Sequence, residues 1–274
     1  MARLPSLIPE QRRQEILRHL QREQVLSYKQ LTELVGVSHM TVRRDVAALA
    51  EQGWVTAAQG GALFVPRQLA EPRRMQKNDS DLPQRTAIAK AAASMVSDSM
   101  TIYLDAGTTV QAMRPFLEAR TGLTIVSNDL STILAFMDHR GVDIVCLGGS
   151  VDINSQSTLG RLAARTLKEL SLDIAFLSCQ SWDAKHGVTA MVEAAVEVKR
   201  AAHDAATSTV LLADSGKFAR FGTYRVISLE ELDRIVTDDG LSVDDLDVLP
   251  TEVTEVIRAD AIDASPVTAT ETVW

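Results

Sequence analysis

The chain has 274 residues and a mass of 29.8 kDa, which is room for two domains. With 46% hydrophobic and 23% charged residues, it has the balance of a globular protein, which excludes a wholly disordered chain, a collagen-like repeat and a coiled-coil rod. The net charge of −8 argues against nucleic acid for the chain as a whole.

That charge is unevenly spread. Residues 1–77 carry 12 Lys+Arg against 7 Asp+Glu, net +5, and the other 197 carry 16 against 29, net −13. A basic head on an acidic body is expected when one domain meets a polyanion and the other does not. Cys146 and Cys179 lie in apolar stretches, DIVCLG and IAFLSC. They are too few for a disulfide framework and read as two buried free thiols in a reducing compartment. MARLPSLIPEQRRQEIL lacks the apolar core of about 7–15 residues that a signal peptide carries. No run approaches the roughly 18 apolar residues of a membrane span. The expectation is a cytoplasmic protein.

The spacing predicts three helices at the N-terminus. PEQRRQEILRHLQRE, from Pro9, places Ile16, Leu17 and Leu20 on one face with arginines opposite. Ser27 can cap YKQLTELVG, whose inner stripe is Leu31, Leu34 and Val35 and whose exit is Gly36. Ser38 can cap HMTVRRDVAALAEQG, with Val42, Val46 and Leu49 inward and Gly53 at its end. Two such helices joined by a glycine turn fit a helix-turn-helix. The outward start of the third helix carries His39, Thr41, Arg43 and Arg44. These are groups that suit a major groove, since Arg bonds two guanine acceptors at once and Thr meets base edges or phosphates. Asp45 would repel phosphate there and is expected to pair with an arginine of the protein itself. WVTAAQGGALFV then reads as strand, Gly60-Gly61 turn, strand, which is a wing.

Together these segments resemble the DNA-binding domain of the DeoR family of bacterial transcriptional regulators. The stretch SHMTVRRDVAALAEQG followed by a wing with GGA carries the resemblance most specifically. It implies that the helix of Thr41, Arg43 and Arg44 enters the major groove, with Ser38 and His39 at its start.

Residues 66–83, PRQLAEPRRMQKNDSDLP, hold three prolines and few apolar residues and read as a linker between a winged helix-turn-helix at 1–65 and a second domain at 84–260. In the second domain, MTIYLD, LTIV, VDIVCLG, DIAFLS, TVLLAD and DRIVTD alternate with TVQAMRPFLEA, LSTILAFMD, TLGRLAARTLKEL and VEAAVEVKRAAHDAA. The alternation predicts an α/β domain with a mainly parallel sheet covered on both faces. Ligands of such sheets bind beyond the carboxyl ends of the strands. Those ends read Asp105-Ala106-Gly107-Thr108-Thr109, Ser127-Asn128, Gly148-Gly149-Ser150 and Asp214-Ser215-Gly216-Lys217. Glycines, hydroxyls and a lysine at strand-to-helix turns suit a polyhydroxy anion. Residues from Thr251 alternate acids with small residues, and 261–274 are expected to be a disordered tail.

YLDAGTT, IVSN, LGGS, Gly160 before a helix, EVKRA and LLADSGKF extend the resemblance over residues 10–258, to the DeoR effector domain and its ribose-5-phosphate-isomerase-like fold. It implies an effector site of Asp105, Gly107, Thr108, Thr109, Ser127, Asn128, Gly148, Gly149, Lys199, Asp214 and Lys217, and a phosphorylated sugar that releases the protein from DNA. The chain departs from the family at two places. After DIAFLS it has Ser178-Cys179-Gln180-Ser181-Trp182 in place of a glycine-bearing stretch, so bulky Gln180 and Trp182 are expected to narrow a pocket wall. Ala195 stands where the family often has Glu, and neither Glu193 nor Glu197 has the matching spacing.

The five histidines have no metal-site spacing, and neither GxxxxGK[ST] nor a strand-linked GxGxxG is present. No metal or cofactor is expected. A regulator of carbohydrate metabolism, a repressor acting as a dimer or tetramer, is the favoured reading. The alternatives are a sugar-phosphate isomerase or deaminase with a basic head, using Asp105, Asp214 and Lys217 for proton transfer, and a purely structural DNA-binding protein. An enzyme has no use for Thr41, Arg43 and Arg44 on a capped helix beside a wing.

Overall fold

A computed structural model describes residues 8–51, 53–66 and 82–260. The first unit opens with α1 (Pro9–Glu23), which has proline at its first turn and buries Ile16, Leu17 and Leu20. β1 (Val25–Ser27) follows. α2 (Tyr28–Val35) starts on a reciprocal cap: Ser27 Oγ accepts from the Gln30 N–H at 3.2 Å, and Gln30 Oε1 accepts from the Ser27 N–H at 2.9 Å. It stops at Gly36, in the left-handed region at φ 66°. Ser38 Oγ accepts the Thr41 N–H at 3.2 Å and opens α3 (His39–Glu51), whose Val42, Val46 and Leu49 are buried.

α2 differs from its expected stripe. Leu34 is 43% exposed, while Leu31 and Tyr28 are buried and Val35 packs partly against the same core. At about 100° per residue Tyr28, Leu31 and Val35 share one face, and Leu34 lies about 60° beyond its edge. The wing strands are β2 (Val55–Ala58) and β3 (Gly61–Phe64), and the three-stranded order is β1-β3-β2. The turn is Gln59-Gly60 rather than Gly60-Gly61. Gly61 lies within β3, where a Cβ would sit 2.4 Å from the Leu26 carbonyl oxygen, so glycine lets β1 close onto the hairpin.

The second unit starts with α4 (Leu82–Ala93), whose first two residues were expected in the linker; the rest of the 66–83 stretch, apart from Pro66, and the expected tail lie outside the described residues. Next come β4 (Thr101–Leu104), α5 (Thr108–Gln111), a 3-10 turn at Arg114–Leu117, β5 (Leu123–Ser127), α6 (Leu130–Phe136) and β6 (Val142–Cys146). A hairpin of β7 (Ser150–Asp152) and β8 (Ser157–Leu159) leads to α7 (Arg161–Leu167) and β9 (Leu172–Ser178). β10 (Ser181–Asp183), β11 (Gly187–Ala190), α8 (Glu193–Ala205), β12 (Ala206–Leu212), β13 (Tyr224–Ile227), β14 (Arg234–Asp238), α9 (Val243–Asp247) and β15 (Glu255–Ala259) complete it.

Seven strands form a fully parallel sheet, ordered β15-β14-β12-β9-β4-β5-β6. Successive residues of one strand feed opposite cores, as a sheet buried on both faces requires. Ile102 and Leu104 pack with Ile88, Val110 and Phe136, whereas Tyr103 packs with Leu167, Leu177 and Val198. A small antiparallel sheet, β10-β11-β13, covers a third cluster around Trp182 and Phe218.

Four expectations change. Cys179 is buried but Cys146 is exposed, because β6 is the sheet's edge strand. Trp182 is fully buried against Phe218, ring centroids 4.7 Å apart, and does not line the cleft described below. The helix expected over TVQAMRPFLEA is one α-turn and one 3-10 turn. The alternating acids after Thr251 include a seventh sheet strand, β15. Among the described residues no helix is long and apolar enough to cross a membrane.

Candidate functional site

Two surfaces carry candidate residues. On the first unit, His39, Arg43 and Arg44 are exposed on the first turns of α3, with Ser38 exposed at its cap. Thr41 is half-buried, its hydroxyl 2.8 Å from Ser38 Oγ, so the cap and the candidate contact share one hydrogen bond. Tyr28, from the start of α2, supports this face. The Arg43 guanidinium lies over its ring at 5.6 Å, and the His39 ring meets it edge-on at 5.5 Å. Periodicity alone gave no sign of that support. Asp45 points inward, and its carboxylate takes the Arg12 guanidinium at 2.6 Å and 3.3 Å with both residues buried. The acid is thereby removed from the basic face and used to tie α3 to α1.

On the second unit, a cleft of about 670 Å³, its open mouth included, lies at the carboxyl ends of β4, β5 and β9. Asp105, Gly107, Asn128 and Lys199 line it. Asp105 Oδ2 accepts the Ser178 N–H at 2.8 Å and pairs with Lys199 Nζ, which also donates to the Ser178 carbonyl at 2.7 Å. The Tyr103 hydroxyl stands 3.1 Å from Asp105 Oδ1 and 2.9 Å from Asn128 Oδ1. Burial, reinforced by the Asp105 charge, holds that phenol well above its ordinary ionisation range, so it acts as a neutral donor. A Cβ on Gly107 would fall 2.2 Å from Ser178 Oγ, and only glycine lets the β4 turn approach β9 this closely.

The other expected residues lie around this centre. Ser127 Oγ donates to the Leu104 carbonyl at 2.6 Å and accepts the Asp129 N–H at 3.0 Å, which fixes the backbone beneath Asn128. Thr108 and Thr109 open α5; Thr109 Oγ1 is buried with no hydrogen-bond partner among the described residues. Gly148 and Gly149 sit in a separate, open groove with Leu162 and Arg165 of α7. Asp214 and Lys217 form their own ion pair at 2.7 Å beyond β12. Burial, the largest single effect, would lower the Lys217 pKa, but the Asp214 charge, the Cys179 thiol and the hydrogen bond to Asp214 together raise it. The Cys179 thiol feels both lysines, yet burial pushes it up to about 12.

Gln180 and Ala195 line the cleft, and Glu193 and Glu197 do not. Ala195, Val198 and Lys199 occupy one face of α8, so this wall is apolar except at its lysine end. The sequence reading missed Ser155, Ser157, Thr189 and Met191, which complete the lining from the β7–β8 hairpin and β11. They lie on or beside antiparallel strands of three or four residues that lack the apolar run marking TIYL. Hydroxyls, two amides, a paired lysine and carboxylate, and an apolar wall can bind a small polyhydroxy molecule through its hydroxyls and its C–H face.

A family model described as the DeoR C terminal sensor domain matches residues 80–239, and one described as a DeoR-like helix-turn-helix domain matches residues 12–68. The HTH-type transcriptional regulator YgbI of Escherichia coli K12 is 38% identical over 235 residues, 86% of this chain and 92% of that protein. The lactose phosphotransferase system repressor of Lactococcus lactis is 28% identical over 260 residues, 91% of this chain and 98% of that one. Ribose 5-phosphate isomerase A from Methanocaldococcus jannaschii matches with a TM-score of 0.38 and 18% identity, over 52% of this chain and 55% of that one.

Proposed function

The chain belongs to the DeoR family of transcriptional regulators, and from that premise we propose that it is a repressor of a carbohydrate-metabolism operon, released from its operator by a phosphorylated sugar. The observation that carries this reading is the pairing of an exposed Arg43–Arg44 face on a capped helix with a cleft at the carboxyl ends of a parallel sheet. Its DNA residues are Ser38, His39, Thr41, Arg43 and Arg44. Asp105, Gly107, Asn128 and Lys199 hold the effector, with Ser127, Thr108, Thr109, Gly148, Gly149, Asp214 and Lys217 around them. The protein works in the cytoplasm as a dimer or tetramer, presenting paired heads to repeated half-sites.

The cleft serves binding and not turnover. Asp105 is spent on Lys199 and Ser178, and Asp214 on Lys217, so neither is a free base. Release from DNA requires the sugar to favour the arrangement that cannot bind DNA. The test is a thermal-shift screen of sugar phosphates, free sugars and sugar acids. A ligand at about 100 times its Kd adds roughly 2.7 kcal/mol of stability. Hits confined to phosphorylated sugars, with no turnover of ribose 5-phosphate or glucosamine 6-phosphate, are expected. Hits confined to unphosphorylated compounds would remove the phosphate from the reading, and turnover would restore the isomerase alternative.

A further inference from the structure

Between the cleft and the DNA-binding unit runs one short segment, Phe218–Gly222. Toward the cleft, the Gly222 N–H donates to Thr189 Oγ1 at 2.7 Å, and Thr189 is part of the cleft wall. The approach is tight: a Cβ on Gly222 would lie 2.6 Å from the Ala190 carbonyl oxygen and 3.1 Å from the Met191 sulfur, both also in that wall. Toward the other unit, Arg220 reaches the junction of α3 and the wing. Its guanidinium lies over the Trp54 ring at 3.5 Å and donates to the Gly53 carbonyl at 3.3 Å. Gln21 of α1 donates to the Phe218 carbonyl at 3.3 Å, and the Phe221 N–H donates to the Pro66 carbonyl at 2.9 Å.

This segment is held under tension. Arg220 is 1% exposed, yet its Nε and Nη1 have no hydrogen-bond partners among the described residues. Burial alone drives its pKa down to about 9. Ala219 sits in the left-handed region at φ 56°, a conformation that is unfavourable for a residue with a Cβ. A buried cation with unpaired donors beside a strained residue is an arrangement with a nearby alternative, in which Arg220 leaves Trp54 for water.

We propose that Phe218–Gly222 is the strap that couples the cleft to the DNA-binding head, with Arg220 as the positioning residue at the recognition-helix and wing junction and Thr189 as its sensor in the cleft wall. A ligand that displaces the β11 wall moves Gly222, withdraws Arg220 and frees the head. The inference rests on the effector reading above, but its first test needs no effector.

Hydrogen–deuterium exchange on the full chain without ligand compares wild type with Thr189→Val, Thr189→Ser and Arg220→Met. Thr189→Val strands the Gly222 N–H, and exchange at residues 53–58 should rise by about three-fold or more although the change lies in the other unit. Thr189→Ser keeps the hydroxyl and should match wild type. Arg220→Met should raise exchange at 53–58 and leave 187–190 unchanged. No rise at 53–58 in Thr189→Val, or an equal rise in Thr189→Ser, overturns the strap. In the second arm, with a sugar phosphate that stabilises the wild type, Arg220→Met should keep the melting shift while its ligand-driven loss of operator affinity, roughly 5–150-fold for a typical allosteric coupling, disappears. Retained release overturns the strap. If no sugar phosphate stabilises the wild type, the effector reading fails, and the exchange arm still decides the strap.

Discussion

At the scale of single residues, environment separates groups that composition treats alike. Cys146 lies exposed on an edge strand, whereas burial lifts the Cys179 thiol to about 12. Native protein should therefore titrate one thiol quickly with Ellman's reagent at pH 8 and the second after unfolding; two fast thiols would contradict the burial of Cys179. Above the ordinary thiol pKa the unfolded chain loses a proton that the native chain keeps, so this group costs stability as pH rises from about 9 toward 12. On α3, Arg43→Ala should weaken operator binding by roughly 1–3 kcal/mol if Arg43 bonds a base. A titration showing equal loss on random DNA would make it a phosphate contact, and unchanged affinity would remove it from the interface.

At the scale of elements, the buried Arg12–Asp45 pair is the tie to test. Removing one partner strands a buried charge, so Arg12→Ala should cost roughly 3–5 kcal/mol in the thermal unfolding of the chain. The surface pair Arg18–Glu15 should contribute only about 0–1 kcal/mol. Equal effects would contradict the burial of the first pair. Gly107→Ala should abolish stabilisation by the effector and leave effector-free operator binding intact, because its Cβ would force Ser178 aside at the cleft wall. A retained ligand shift in the variant would place the ligand away from this turn. The long elements were legible in the sequence because their periodicity reports burial directly: Ile16, Leu20, Val42 and Val46 all face the core they were expected to face. Leu34 was not, since a helix of two turns has too few positions to fix its apolar face, and Tyr28 fills the place expected of Leu34. The same limit applies to the cleft. Asp105, Gly107 and Asn128 follow the apolar, buried strands TIYL and LTIVS of the central sheet and stood out, whereas Ser155, Ser157 and Thr189 lie on or between short polar antiparallel strands with no apolar run to mark them. Trp182 was misplaced because a bulky side chain after a strand fits a pocket wall or a core equally well until the β10–β11–β13 sheet folds over it.

At the scale of the whole molecule, two modest surfaces become a regulator only if occupancy of one changes the other. The coupling must be reciprocal: DNA that favours the clamped arrangement weakens the sugar by the factor by which the sugar weakens DNA. The charge split found in the sequence suits this division: the basic N-terminal residues match a polyanion and the acidic remainder does not. The most direct test is operator binding by the full chain, measured by fluorescence anisotropy on DNA selected from a random pool, with and without each phosphorylated sugar that raises its melting temperature. At least one of them should lower operator affinity by roughly 5–150-fold. Unchanged affinity with every sugar that binds the protein would contradict it, leaving a DNA-binding protein whose cleft does not govern its hold on DNA.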